Sequence, residues 1–302
     1  MTEVNAQSER DRARAGVLYG VGAYTWWGVV AIYFKAVAHV NAFEVLAHRV
    51  IGAALLLGLL MRVQGKWPAA FVSLRDRRTL VTLLGTTALI AVNWFVFIWS
   101  VANGHLMEAS LGYFINPLVN VFLGYVVLRE RLRGWQWVSV ALAATGVAYL
   151  TIAMGEPPVI AMVLAGSFGM YGLLRKTVGV DALTGLTFET TVLWPLAVGY
   201  VVFLGVHGEL AFWHVSWQTD ALLSVGGVVT AVPLLWFANA ARRLKLSTLG
   251  FLQYIAPSMQ FMLAVLVFGE VFERVHAISF RLIWIGLAVF SVESLVAARR
   301  SS

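Results

Sequence analysis

Glu44, His48 and Arg49 stand close together in an otherwise apolar run. Glu44 and His48 are four residues apart and share a helix face, and Arg49 follows on a neighbouring one. A carboxylate, an imidazole and a guanidinium grouped in this way are the parts of an anion-binding or proton-relay site. An ionisable group at the centre of a membrane helix costs about 2.5–3.5 kcal/mol on insertion scales, so each one kept there needs a use or a way out. Glu44, at the start of its run, is expected to snorkel to the interface. Arg49 lies about one and a half turns further in and is the first candidate for an anion contact, with His48 beside it.

Other polar residues interrupt apolar runs. Lys35 closes the first run, where it is either an anion contact or a surface lysine. Asn93 and Trp94 fall in the middle of the third run; an amide there is either glue between helices or a substrate contact. Glu108 precedes the fourth run, where an acid favours the helix dipole. Tyr113, Asn116 and Pro117 lie in the fourth run, and Gln253, Tyr254 and Pro257 occupy the corresponding part of the ninth. Proline frees a backbone carbonyl and kinks a helix, so Pro117 and Pro257 are expected to bend two matching helices around polar neighbours. Glu189, Arg281 and Glu293 are weaker candidates. No GxxxxGK[ST], HExxH or GxSxG pattern occurs, there is no cysteine, and the histidines lack metal-ligand spacing. No catalytic residue, metal or cofactor is therefore expected, and ATP is not the direct source of energy.

The elements that position these residues follow from composition. Hydrophobic residues make up 60% of the 302 and charged residues only 12%, against about 25% charged in soluble chains. So much apolar surface needs a bilayer as solvent. Runs near 16–36, 44–62, 80–101, 109–128, 135–153, 159–174, 183–205, 221–240, 248–268 and 277–297 approach the roughly 20 residues that span one. They are too long and too continuously apolar for barrel strands. The first run is too long for a signal-peptide core and is interrupted by Lys35, so it reads as a retained helix, and the polar residues 1–15 read as a disordered cytoplasmic tail. Of 22 lysines and arginines, all but Lys35, Arg49, Arg274 and Arg281 fall on one side if the N-terminus is cytoplasmic. That bias predicts ten spans with both termini in the cytoplasm. It also accounts for the net charge of +7 without nucleic acid as a partner.

The two halves echo each other. Pro117 and Pro257, Glu130 and Glu270, and Gly146 and Gly286 share one offset of 140, as do Val40-Asn41-Ala42 and Val180-Asp181-Ala182. Five spans per half, 16–153 and 159–297 with a short tail at 298–302, place the second half upside down relative to the first. Inverted repeats of this kind build secondary transporters. The expectation is an all-α integral membrane protein of ten transmembrane helices in two inverted five-helix repeats.

The run Glu108-Ala-Ser-Leu-Gly-Tyr113-Phe-Ile-Asn116-Pro117-Leu118 resembles the signature of the RarD family, in the EamA branch of the drug/metabolite transporter superfamily. Trp27-Gly28, Tyr33-Phe34-Lys35, His48-Arg49, Asn93-Trp94, Tyr171-Gly172, Arg175-Lys176 and Leu246 to Phe251 extend the resemblance over nearly the whole chain. It implies a permease of the bacterial inner membrane, often labelled by a chloramphenicol phenotype. One departure stands out: the family's glycine before the acid that ends the fourth helix is kept in Gly269-Glu270 but replaced in Arg129-Glu130. The function expected is alternating-access transport of a small metabolite or drug-like molecule, driven by a proton or ion gradient or by exchange. A polytopic enzyme acting on a lipid-linked substrate and a non-transporting channel or sensor are the alternatives.

Overall fold

The chain was analysed as a computed structural model, which describes residues 3–129, 134–155, 157–241, 243–244 and 252–300. The described residues form helices α1 (Glu3–Ala36), α2 (Ala42–Val63), α3 (Trp67–Ser73), α4 (Arg77–Ala102), α5 (Leu106–Leu128), α6 (Gly134–Met154), α7 (Val159–Thr177), α8 (Ala182–His207), α9 (Trp217–Ala241), α10 (Ile255–Met262, continued by a π turn at Leu263–Val267) and α11 (Arg274–Arg300). Eight of these are long and apolar enough to cross a membrane; α7 and α10 with its π turn are shorter apolar helices. Every backbone polar group within a bilayer must be satisfied internally, which helices achieve without neighbours. Leu59, Ile152, Leu196, Val206 and Leu266 are exposed on the outside of the bundle, an apolar surface that only lipid tolerates.

Three expectations change. The N-terminal residues are helical from Glu3 and continue α1, because Ala, Glu, Gln and Arg are good helix formers that extend an existing helix at little cost. The short helix α3 interrupts the basic loop between α2 and α4. In the ninth run, where residues 245–251 lie outside the described residues, Gln253 and Tyr254 form a turn and α10 starts at Ile255. Pro257 therefore sits in the first turn of α10, where a missing N–H costs nothing, whereas Pro117 is interior to α5. The two prolines thus occupy different places in their helices.

Caps explain where helices start. Asn41 accepts the Phe43 N–H at 2.9 Å to begin α2. Asp181, at the matching place in the second half, accepts Leu183 N–H at 3.1 Å to begin α8. Each leaves one orphan donor fewer.

The packing is reciprocal. α1 lies on α9 and α10, α7 lies on α4 and α5, α2 lies on α8 and α9, and α6 pairs with α11. In the last pair a Cβ on Gly146 would meet the Ser279 carbonyl at 2.9 Å, and a Cβ on Gly286 would meet the Ser139 carbonyl at the same distance. The Ser279 hydroxyl also donates to the Gly146 carbonyl at 2.9 Å. Small residues permit this approach, which is how helices associate where lipid removes the hydrophobic drive. α2 and α9 touch similarly, with Gly52 against Gly227, backbone to backbone.

Candidate functional site

Arg49 lies two turns into α2 and is 9% exposed. Its Nε donates to Thr230 Oγ1 of α9. Its guanidinium carbon stands 4.4 Å from the Trp94 ring centroid and 5.5 Å from that of Phe34. Among the described residues no carboxylate lies within ion-pair distance of it. The Tyr33 and Tyr113 hydroxyls bear on it electrostatically. Gly226 keeps α9 slim where Tyr33 Oη and the Arg49 backbone pass. The result is a cation caged by two aromatic faces and one hydroxyl, without a counter-ion. Cation–π contacts of this kind are worth about 2 kcal/mol or more when desolvated, too little alone to offset a buried charge.

Next to this cage Asn93 of α4 is fully used. Its amide nitrogen donates to the Leu164 carbonyl at 3.1 Å and to Ser167 Oγ at 3.0 Å, and its oxygen accepts from Tyr113 Oη at 3.1 Å. Asn93 thus ties α4 to α5 and α7 as interhelical glue, while Trp94 and Tyr113 face Arg49.

Asn116 is different. It is 1% exposed, and among the described residues neither amide atom has a hydrogen-bond partner. A Cβ on Gly112 would meet Ala161, and one on Gly169 would meet Val119 and Leu123. Those α5 residues flank Asn116 on the same face, so it points at α7. Leaving a buried amide unpaired costs about 1–3 kcal/mol.

The remaining candidates cluster elsewhere. Glu44 does not snorkel: it is 1% exposed, and its carboxylate accepts the N–H groups of Ala211 (3.0 Å) and Phe212 (3.1 Å) from the α8–α9 loop. Backbone donors held at one point satisfy the charge better than the interface would. His48 Nε2 is 3.9 Å from that carboxylate, and its ring lies 4.8 Å from Phe212, so His48 belongs with Glu44 and not with Arg49. Glu108 sits in the first turn of α5 and accepts the Ile160 N–H at 2.9 Å. It supplies the cap that Pro158 does not give α7. Lys35 is exposed, 5.6 Å from the Phe268 ring centroid, away from Arg49. Gln253 and Tyr254 are half-buried at the turn before α10.

Two further groups stand out, one at Glu270 and one at Glu189, which the sequence offers only as a weaker candidate. Glu270, noted only for its register, accepts Leu106 and Met107 N–H, both at 2.7 Å, at the uncapped start of α5. Burial pushes its carboxyl above the usual carboxylate range, opposed by those two amides, His105 and Lys35. Glu44, Glu108 and Glu270 thus all tie one half of the chain to the other, at the end of the bundle opposite the basic loops. Their common signal is an acid beside a helix end that lacks a cap of its own. The second group surrounds Glu189, buried completely in α8.

Comparison with known proteins bears on the family. Residues 14–152 match the EamA-like transporter family. An "Uncharacterized transporter" of Vibrio cholerae is 47% identical, over 97% of this chain and 98% of its own length. "Protein RarD" of Streptomyces exfoliatus is 44% identical, over 95% of this chain and 91% of its own. A solved crystal structure superposes with a TM-score of 0.59 at 20% identity, over 91% of this chain and 96% of the other, a likeness of fold alone. With its apolar helices, its signature in α5 and relatives that match it nearly end to end, the chain belongs to the EamA-like transporter family, among its RarD-type members.

Proposed function

We propose that the chain is a secondary transporter that takes a small anionic metabolite or drug-like molecule at Arg49 and moves it across the bacterial inner membrane by alternating access. The observation that carries this reading is the buried Arg49 guanidinium. It has a cation–π cage and one hydroxyl but no carboxylate among the described residues. A cation kept at membrane depth without a counter-ion suits a ligand that brings the negative charge. The apolar rings of Phe34 and Trp94 suit a ligand with an apolar body beside that charge.

Alternating access draws support from the reciprocal α6–α11 contact and from pairings that survive exchange of residues 16–153 with 159–297. Two inverted halves supply two mirror-related states. The three carboxylates that bind the halves together at one end support a gate there, with the basic end cytoplasmic by the charge bias. Asn116 supports movement at α5–α7, since its unpaired amide finds partners only if α7 shifts or a ligand arrives.

Counterflow in proteoliposomes tests the reading, with the purified chain and a pooled panel of labelled amino acids, organic anions and chloramphenicol. Saturable exchange of an anionic compound, lost in Arg49→Ala with the protein still folded, is the expected outcome. Exchange that survives Arg49→Ala unchanged would remove Arg49 from the site.

A further inference from the structure

Glu189 of α8 stands 140 residues after Arg49 of α2, the same offset that relates Asn41 to Asp181 and Gly146 to Gly286. Each lies eight residues beyond its helix cap, Asn41 or Asp181. Their surroundings match as well. Arg49 meets a threonine of α9 and faces Tyr33 of α1. The Glu189 carboxylate accepts from Thr86 Oγ1 of α4 at 2.7 Å and from Tyr171 Oη of α7 at 3.1 Å. The mirror position therefore carries the opposite charge in the same kind of setting: one threonine and one tyrosine from flanking helices.

The carboxylate is completely buried, and among the described residues it makes no ion pair. Among the described residues Arg175 of α7 is the cation that bears on it, and Arg175 bears on the Tyr171 hydroxyl as well. The Arg175 guanidinium lies over Gly185, one turn before Glu189, where any Cβ would collide with it. Its Nη2 donates to the carbonyls of Asp181 (3.3 Å) and Ala182 (3.5 Å) at the start of α8, and Asp181 stands 3.6 Å from Lys66 at the basic end. Tyr171 and Arg175 of α7 are the ionisable groups that face Glu189. α4 offers it the Thr86 hydroxyl, and no titratable group of α2 or α9 bears on it.

We infer that Glu189 is a proton-binding site, loaded and emptied from the basic end past Arg175, and that its occupancy is linked to the anion site at Arg49. A metal cation is a poor occupant: both neighbouring hydroxyls already donate to the carboxylate, and a guanidinium stands beside it, whereas hard cations need several free oxygens. A proton needs only the carboxylate. The link between the two sites is physical. Tyr171 packs on Phe168 at 6.0 Å between ring centroids, Phe168 on Tyr113 at 6.2 Å, and Tyr113 bonds Asn93 beside the Arg49 cage. Along α4, Thr86 and Asn93 are two turns apart, about 10 Å. Proton uptake replaces a charge with a neutral acid, loosening its hold on α7 and thereby biasing the α4–α7–α8 contact. The linkage rests on the transport reading above; the proton site does not.

The test has two arms, run on the full chain in liposomes. Infrared difference spectra between acidic and alkaline buffer should show a protonated-carboxyl band that Glu189→Gln removes and whose titration midpoint moves in Tyr171→Phe. Tyr171→Phe keeps its ring in place and serves as the readout should Glu189→Gln fail to fold. A band unchanged in both variants overturns the proton site. In the second arm, a compound found by counterflow should accumulate against its gradient when a pH gradient is imposed. Glu189→Gln should retain exchange but lose that accumulation at least tenfold. Accumulation retained in Glu189→Gln overturns the linkage. Failure of the unmodified chain to exchange any compound overturns the transport reading instead, and the infrared result stands apart from it.

Discussion

At the scale of single residues, the chain tolerates several local costs, and each makes a prediction. Arg49 is held by ring faces and one hydroxyl, a task that depends on a flat, delocalised cation. Arg49→Lys is therefore expected to lower exchange by tenfold or more in counterflow while leaving thermal unfolding nearly unchanged. Asn116 leaves both polar atoms unpaired in the α5–α7 contact. Asn116→Leu should stabilise the protein by about 1–3 kcal/mol and slow exchange, a trade typical of groups kept for function; thermal unfolding and counterflow on the same preparation check both halves. Arg129 occupies the left-handed region at φ 55°, where its mirror residue Gly269 sits at 70°. The turn the family builds with glycine is thus kept with an arginine, at about 1–2 kcal/mol of strain, and Arg129→Gly should recover about that much in an unfolding midpoint. Glu270 carries a pH dependence. Burial raises its carboxyl in the folded state, so folding takes up a proton there. Its stabilising contribution is complete below the ordinary carboxylate pKa and is lost as pH rises through the raised one. Glu270→Gln should flatten that part of a stability–pH curve measured by thermal unfolding. Arg49, Asn93 and Trp94 were readable from sequence because a polar group deep in an apolar run has few excuses. Glu44 was misread because its excuse, backbone donors of a loop more than 160 residues away, leaves no mark near it in the chain.

At the scale of elements, spans were legible wherever lipid alone sets the pattern, and illegible where protein does. Long apolar runs became α2, α4, α5, α6, α8, α9 and α11 close to the expected bounds. In the ninth run, the described residues from Gln253 onward form a turn, a short helix and a π turn; irregular backbone at membrane depth is allowed only where protein covers it, and covering is a tertiary fact. α7, expected as a short run at 159–174, spans Val159–Thr177, and its short length is made good by contacts with α4 and α5. Glycine contacts mark where helices approach closely. Gly52 and Gly227 bring α2 and α9 into backbone contact directly beside the Arg49 cage. A Cβ on Gly227 has no flexible side chain to displace, so Gly227→Val must part the two helices. Overpacking of this sort costs about 1–3 kcal/mol, and the displaced Thr230 should take exchange down with it.

At the scale of the whole molecule, the three carboxylates explain how two halves with little obligation to each other close at one end. Each accepts backbone N–H groups of the opposite half: Glu44 those of Ala211 and Phe212, Glu108 that of Ile160, Glu270 those of Leu106 and Met107. Charge-assisted bonds of this type are roughly twice as strong as neutral ones. This seam was not legible in the sequence, because the acids and the amides they meet are far apart in the chain. The absence of cysteine from the chain allows the seam to be examined directly. Ser167→Cys puts a near-isosteric thiol beside Asn93, at a position 8% exposed. In proteoliposomes of known orientation, a membrane-impermeant thiol reagent applied at the carboxylate end should react slowly with this variant. Adding Glu44→Gln, Glu108→Gln and Glu270→Gln keeps the shapes but removes the charges, and should raise the labelling rate from that end by tenfold or more. From the basic end the rate should stay level or fall, as the proposed alternating access requires. Equal labelling with and without the three carboxylates would show that they cap helices and do not gate the path.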